Sequence, residues 1–159
     1  MKVLVTGSTG LLGQTIQKLE HNFDFSFCYA PPSSECDLTD FFAAKDLIEY
    51  HKPTHVVHLA SIVGGIQDNV NRPFDFSIDN ILMNANIIDI CVEENIPLLA
   101  ASSTCVYPAE VENYPLTEDM VDSGPPENTN SAYAYAKRAM THSLRAAKKQ
   151  YDYDFTVLY

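Results

Sequence analysis

Tyr133 and Lys137 stand four residues apart, so on a helix a phenol and an ammonium share one face. A cation beside a phenol favours the phenolate and lowers its pKa. Tyr133 would then be a usable proton donor to a carbonyl, or an acceptor from an alcohol. Lys137 could also bond a ribose hydroxyl. Ser103 could hydrogen-bond the same substrate oxygen, and Cys105, two residues on, is a lone thiol. A thiol whose pKa falls beside a cation can act as an acid or base near neutral pH. Free cysteine is often only a small buried hydrophobe, and Cys28, Cys36 and Cys91 are read that way. The four cysteines show no C-x-x-C spacing, so reduced thiols and a cytoplasmic protein are expected. Tyr135 belongs to another face of the same helix. His51, His55 and His58 have no carboxylate or cysteine at ligand spacing, so no metal site is expected.

Far upstream lies a second group of residues with chemical use, Thr6-Gly7-Ser8-Thr9-Gly10-Leu11-Leu12-Gly13. An apolar run, Val3-Leu4-Val5, enters it, and a run of helical character leaves it. Strand, glycine turn and helix form an anion cradle: the free N–H groups and the positive end of the helix dipole face the ligand. Gly7 suits a sharp turn, Gly10 leaves room for a pyrophosphate, and Gly13 allows close helix packing. The net charge of −11 argues against nucleic acid or an anionic membrane surface as partner. It also means that an anionic nucleotide would be held by local donors.

The elements that must position these residues follow from periodicity. The 159 residues, 46% of them hydrophobic, suit one globular domain, residues 1–159. Strands are expected at 1–6, 23–29, 54–60, 98–102 and 154–159, with helices at 10–20, 39–51, 73–95 and 133–150. Val63-Gly64-Gly65-Ile66 reads as a turn, and 106–131 as a long aperiodic loop. No run is long enough for a transmembrane helix, and Met1-Lys2 is not followed by a signal-peptide core. Alternating strands and helices imply an α/β fold: a doubly wound parallel sheet of Rossmann type with helices on both faces, in the order 3-2-1-4-5. The glycine turn, Ala60-Ser61 and Ser102 to Cys105 then all meet at the carboxyl ends of the strands.

The glycine turn, Ser103 and Tyr133-Ala134-Tyr135-Ala136-Lys137 together resemble the extended short-chain dehydrogenase/reductases. His58-Leu59-Ala60-Ser61-Ile62-Val63-Gly64-Gly65-Ile66, Ser103-Thr104-Cys105-Val106-Tyr107-Pro108 and Gly124-Pro125-Pro126 narrow the resemblance. They are similar to the branch that epimerises and reduces GDP-4-keto-6-deoxy-D-mannose to GDP-L-fucose. The resemblance implies that Gly7, Ser8, Thr9, Gly10, Leu11, Leu12 and Gly13 hold the cofactor pyrophosphate. Asp37 and Leu38 would border the adenine, and Leu59, Ala60, Ser61 and Ser102 would line the path to the nicotinamide. Ser103, Tyr133 and Lys137 would carry out the reduction, and Cys105 the epimerisation. Gly64, Gly65 and Thr104 would meet the sugar nucleotide. NADPH is the implied cofactor, and a homodimer packed through helix 133–150 the implied assembly.

Two features depart from that family pattern. Strand two runs into Ala30-Pro31-Pro32-Ser33-Ser34-Glu35, with no Lys or Arg for a 2′-phosphate. No Asp or Glu closes the strand directly either, which disfavours NAD, and NADP is retained with Ser33 and Ser34 as donors. In the family a Pro-Thr-Asn segment, a catalytic histidine and the sugar-nucleotide domain come after the position of Tyr159. The chain is therefore expected to be an N-terminal part of a longer enzyme, or a shortened product, and inactive alone. Two other readings stay open: a different nucleotide-sugar epimerase or dehydratase, and a non-catalytic nucleotide-binding fragment.

Overall fold

The computed structural model describes residues 1–111 and 113–159. Five strands alternate with helices: β1 Lys2–Thr6, α1 Leu11–Leu19, β2 Ser26–Tyr29, α2 Phe41–His51, β3 His55–His58, α3 Ile66–Asn71, α4 Pro73–Glu93, β4 Leu98–Ala101, α5 Ser131–Tyr151 and β5 Phe155–Leu158. The helix ends are chemically marked. Asp40 caps α2, accepting from the N–H groups of Phe42 and Ala43. Lys52, Asn95 and Asp152 take left-handed conformations just beyond α2, α4 and α5.

All strand pairs are parallel. The order is β2-β1-β3-β4-β5, which corrects the expected 3-2-1-4-5. β3 lies against β1, with Val3 opposite His55 and Thr6 opposite His58. Burial explains the arrangement. Val56 and His58 of β3 are buried, as a central strand requires. No residue of β2 is fully buried, and β2 takes the edge. The chain thus moves outward once, from β1 to β2, then turns back across β1 into β3. The switch in direction falls between β1 and β3, where a ligand crevice is expected.

Right-handed crossovers place helices on both faces, but unequally. The main core joins α2, α4 and α5 to one sheet face: Ala44, Leu47, Ile87, Ile90, Cys91, Met140 and Leu144 pack on Leu4, Val56, Leu98 and Ala100. On the other face Leu12, Thr15 and Ile16 of α1 border an open apolar groove floored by Val3, Phe27, Val57, Leu99 and Leu158.

The segment after β4 is ordered more than its aperiodic sequence suggests. It holds short 3-10 turns at Thr104–Val106, Glu118–Asp122 and Asn128–Asn130. Pro108 bridges Pro126, and Val106, Tyr107 and Val121 form a small second cluster. Arg138 of α5 ties the segment down, donating from Nε to Val106 O and from Nη2 to Gly124 O, both at 2.8 Å.

Candidate active site

Gly7 has φ +67°, and a Cβ there would lie 2.6 Å from the backbone nitrogen of Ala60. The turn is therefore pressed against the end of β3, and only glycine fits. At Gly13 a Cβ would meet the carbonyl oxygen of Gly7 at 2.4 Å, so α1 packs on the turn itself. Gly10 differs. Its nearest neighbour to an added Cβ is Gly7 O at 3.3 Å, and its approach is otherwise open. Gly10 is the N-cap of α1 and offers no side-chain acceptor to the first-turn N–H groups. Those donors face outward, as an anion site needs. Ser8 does not share this role through its hydroxyl, which donates to Ala30 O at 2.6 Å and is buried. Thr9, Leu11 and Leu12 are exposed around the turn.

Beneath the turn lies a buried polar chain. The Thr6 hydroxyl accepts from Ala60 N at 3.2 Å and meets His58 Nδ1 at 2.7 Å. Asn84 Oδ1 can only accept, so His58 Nε2–H donates to it at 3.1 Å, and in the neutral ring Nδ1 accepts from the Thr6 hydroxyl. The imidazole is neutral. Burial first, then the charge of Lys137, press its pKa down to about 3 against the opposing bond to Asn84.

Tyr133 and Lys137 do share one face of α5, and both point toward the end of β4. Lys137 is almost fully buried and donates from Nζ to Ala101 O at 2.9 Å. Burial lowers its pKa to about 8. Its Nζ lies 5.9 Å from the centroid of the Tyr133 ring. The expected lowering of the phenol pKa by this cation is not found. Burial raises it, and hydrogen bonding by Ser61 and Ser103 works in the opposite direction. Ser61 and Ser103 therefore lie near the phenol. Tyr135 is half exposed, with the Arg138 guanidinium 5.5 Å from its ring centroid.

Cys105 joins the same cluster. Its backbone N–H donates to Ser103 Oγ at 3.2 Å, and its sulfur accepts from Asn130 Nδ2 at 3.3 Å. Thr104 is exposed beside it. The hydroxyl of Ser102 is buried without a hydrogen-bond partner among the described residues, a donor left over at the end of β4.

Three expected site residues are placed less directly. Leu38 is buried in the main core, held through its carbonyl by Asn86 Nδ2 at 2.9 Å, so only its backbone could border a ligand. Asp37 accepts from both N and Oγ1 of Thr39. Gly64 packs under Phe76 and Asp68, and Gly65 is the N-cap of α3, a helix that begins at the end of the expected turn and was itself not expected. Leu59 and Ala60 lie directly beyond β3, which ends at His58 and not at Ala60 as expected.

Sequence reasoning missed the asparagines that hold the site. Asn80 of α4 accepts from Ser61 Oγ at 2.6 Å and Ile62 N at 2.9 Å, and donates to Ile62 O and Phe76 O. It fixes Ser61, which lies near Tyr133. Neither its spacing nor that of Asn84 or Asn130 gave a signal, because the bonds that brace the site span eighteen or more residues.

A parallel, doubly wound sheet with a glycine turn after its first strand and a polar cluster at the strand ends is the Rossmann type of dinucleotide-binding fold. The chain matches the model of the NAD dependent epimerase/dehydratase family over residues 3–159, and it belongs to that family. It is 37% identical over 98% of its length to a probable GDP-L-fucose synthase of Drosophila melanogaster. It is 39% identical over 97% of its length to a GDP-L-fucose synthase of Dictyostelium discoideum. In each case it covers 49% of the relative, so the chain spans about half the length of these proteins. A GDP-L-fucose synthetase of Naegleria fowleri, solved bound to NADP, superposes with a TM-score of 0.84 at 34% identity. That match covers 98% of this chain and 51% of the other.

Proposed function

We propose that this chain is the cofactor-binding and reducing part of an enzyme that converts GDP-4-keto-6-deoxy-D-mannose to GDP-L-fucose with NADPH. The observation that carries the reading is the cluster itself: Ser61, Ser103 and Cys105 gathered around the Tyr133 phenol, with Lys137 behind its ring. The relatives named as GDP-L-fucose synthases support the substrate, and the NADP-bound structure supports the cofactor.

The residues present fit such a cofactor. The open approach at Gly10, the uncapped N-terminus of α1 and the unpaired Ser102 hydroxyl are donors suited to it. They also answer the charge problem, because they attract an anion locally in a chain of net charge −11. NADPH, when bound, supplies a hydride. Tyr133 would give its proton to the sugar ketone oxygen, with Ser103 as a second donor to that oxygen. Lys137, held on Ala101 O beside the ring, would orient the phenol and a ribose hydroxyl. Burial keeps Tyr133 protonated, which suits a proton donor.

Epimerisation next to the ketone needs a carbon-bound proton removed from one face and returned on the other. Tyr133 and Ser103 would stabilise the enolate, and Cys105 would move the proton. We further propose a homodimer through α4 and α5, whose outer faces expose Ile81, Leu82 and Tyr151. A monomer in sedimentation velocity would contradict it. No helix of the described residues is long and apolar enough to cross a membrane, and all four cysteines are free, which supports a cytoplasmic enzyme.

The test is solvent deuterium incorporation into the keto-sugar without NADPH, followed by NMR on the full polypeptide that carries this chain. Cys105→Ser is expected to block exchange at C3 and C5 and leave NADPH affinity unchanged. Exchange at the wild-type rate would make Cys105 structural and remove the epimerase half of the reading.

A further inference from the structure

In a dinucleotide-binding fold the residue that separates NADH from NADPH stands near the end of the second strand, about twenty residues beyond the glycine turn. An Asp or Glu there accepts from the ribose 2′-hydroxyl, and an Arg nearby answers a 2′-phosphate. In this chain the place falls on Ala30, the residue after β2. Ala30 is buried, and both of its backbone groups are engaged. Its N–H donates to Val5 O at 2.9 Å, and its carbonyl accepts from the Ser8 hydroxyl at 2.6 Å. The one bond therefore occupies the end of β2 and a hydroxyl of the glycine turn together. Pro31 and Pro32 follow, and neither has an N–H to give. The next donors belong to Ser33 and Ser34, exposed in a turn that Glu35 N and Cys36 N close on Pro32 O.

Charge points the same way. No Lys or Arg stands between Lys2 and Lys18, or between Lys18 and Lys45. Lys2, at the start of β1, holds His51 O. Lys18 is in the last turn of α1, about 12 Å along the helix from Gly10. Lys45 turns to Glu93 of α4 at 4.0 Å. The charged residues next to the two serines are Glu35 and Asp37, both exposed.

Neither cofactor thus finds its charged partner at the end of β2. The remaining donors, the open approach at Gly10 and the first-turn N–H groups of α1, serve the pyrophosphate that both cofactors share. Specificity is a difference of affinities, so shared contacts contribute none of it. We propose that the end of β2 is a permissive adenosine site, at which this chain takes NADH as well as NADPH, the 2′-phosphate meeting only the neutral donors of Ser33 and Ser34. This rests on the reading of the glycine turn as a dinucleotide site.

The experiment is fluorescence titration of the 159-residue protein with NADPH and, separately, with NADH, at about 50 mM and about 500 mM salt. The two dissociation constants should lie within about tenfold of each other, the scale of a neutral hydrogen bond or two. NADPH affinity should not fall relative to that of NADH as salt rises, because no cation is there to be screened. A ratio above about tenfold for either cofactor would overturn the proposal and leave the dinucleotide reading standing. Binding of neither cofactor would remove both.

Ser33→Arg and Ser34→Arg supply the missing cation. At least one should tighten NADPH by about tenfold, leave NADH unchanged, and lose the gain at high salt. Asn22→Arg adds the same charge just beyond the far end of α1 and should change neither affinity. A gain of equal size from Asn22→Arg would reduce the effect to overall charge. No gain from either serine variant would place the 2′ position away from this turn. Either result would overturn the assignment of the site.

Discussion

Tyr133 and Tyr135 show how two identical side chains on one helix acquire different surroundings. Tyr133 faces the strand ends near Ser61 and Ser103, whereas Tyr135 lies half in solvent under Arg138. Tyr133→Phe removes one hydroxyl with little change in packing. In the full polypeptide, steady-state reduction of the keto-sugar should fall by about 10²–10⁴, the range of general acid catalysis. Tyr135→Phe should leave the rate near wild type, and the opposite pattern would mean that the helix face is misassigned. His58 gives a prediction about stability. Its folded pKa of about 3 lies below its ordinary 6.5. Between those values the unfolded chain binds a proton that the folded chain excludes, so stability is lost as pH falls through that window. His58→Gln should flatten this acid limb by up to about 1.4 kcal/mol per pH unit in urea unfolding. An unchanged acid limb would show that the imidazole is not held neutral.

Elements were legible where one side chain period governed them. The apolar run of β1 and the Tyr133–Lys137 stripe of α5 are such cases, and both hold. β2 shows where periodicity misleads. Phe23 and Phe25 alternate as strand residues do, but pairing begins only at Ser26, opposite Lys2. β1 has no strand residue to offer before Lys2, so the partner sets the start of β2. Helix α3 was invisible because its six residues, Ile-Gln-Asp-Asn-Val-Asn, carry no apolar stripe and follow two glycines. Strand order was illegible for a different reason. A helical crossover carries the chain to either side of a strand, and only burial in the finished sheet decides between them. The segment 106–131 depends on one residue. Arg138 donates to the carbonyls of Val106 and Gly124, so it closes that segment onto α5. Arg138→Met keeps much of the stem but loses both bonds. Limited proteolysis should then cut between residues 109 and 123 faster than in the wild type, while cleavage elsewhere is unchanged. Equal cutting in both proteins would mean that the segment is held by its own small cluster around Val106 and Val121.

The whole molecule is asymmetric. One sheet face carries three helices and the main core, and the other carries α1 and an open apolar groove. The accessible surface of 9081 Å² is larger than the roughly 7900 Å² typical of a monomer of its 17.7 kDa mass, in keeping with that bare face. The asymmetry leaves the cofactor crevice intact. The glycine turn, the end of β3 and the end of β4 meet on the side of the sheet edge where strands finish, and Thr6, His58 and Asn84 brace them from below. Much of that crevice was legible from the glycine and Tyr-Lys spacings. Its asparagine supports were not, because a carboxamide bond across long sequence separations leaves no local pattern. The central claim is that the turn at Gly10 receives a dinucleotide. Gly10 sits at φ −77° and ψ 176°, a conformation open to valine, and its Cβ position meets only Gly7 O at 3.3 Å. Gly10→Val should therefore fold normally and place a branched side chain in the path of the pyrophosphate. The measurement is a fluorescence titration of the 159-residue protein with NADPH. The account predicts saturable binding by the wild type and its loss in a Gly10→Val protein with an unchanged circular dichroism spectrum; equal affinity in the two proteins would contradict it.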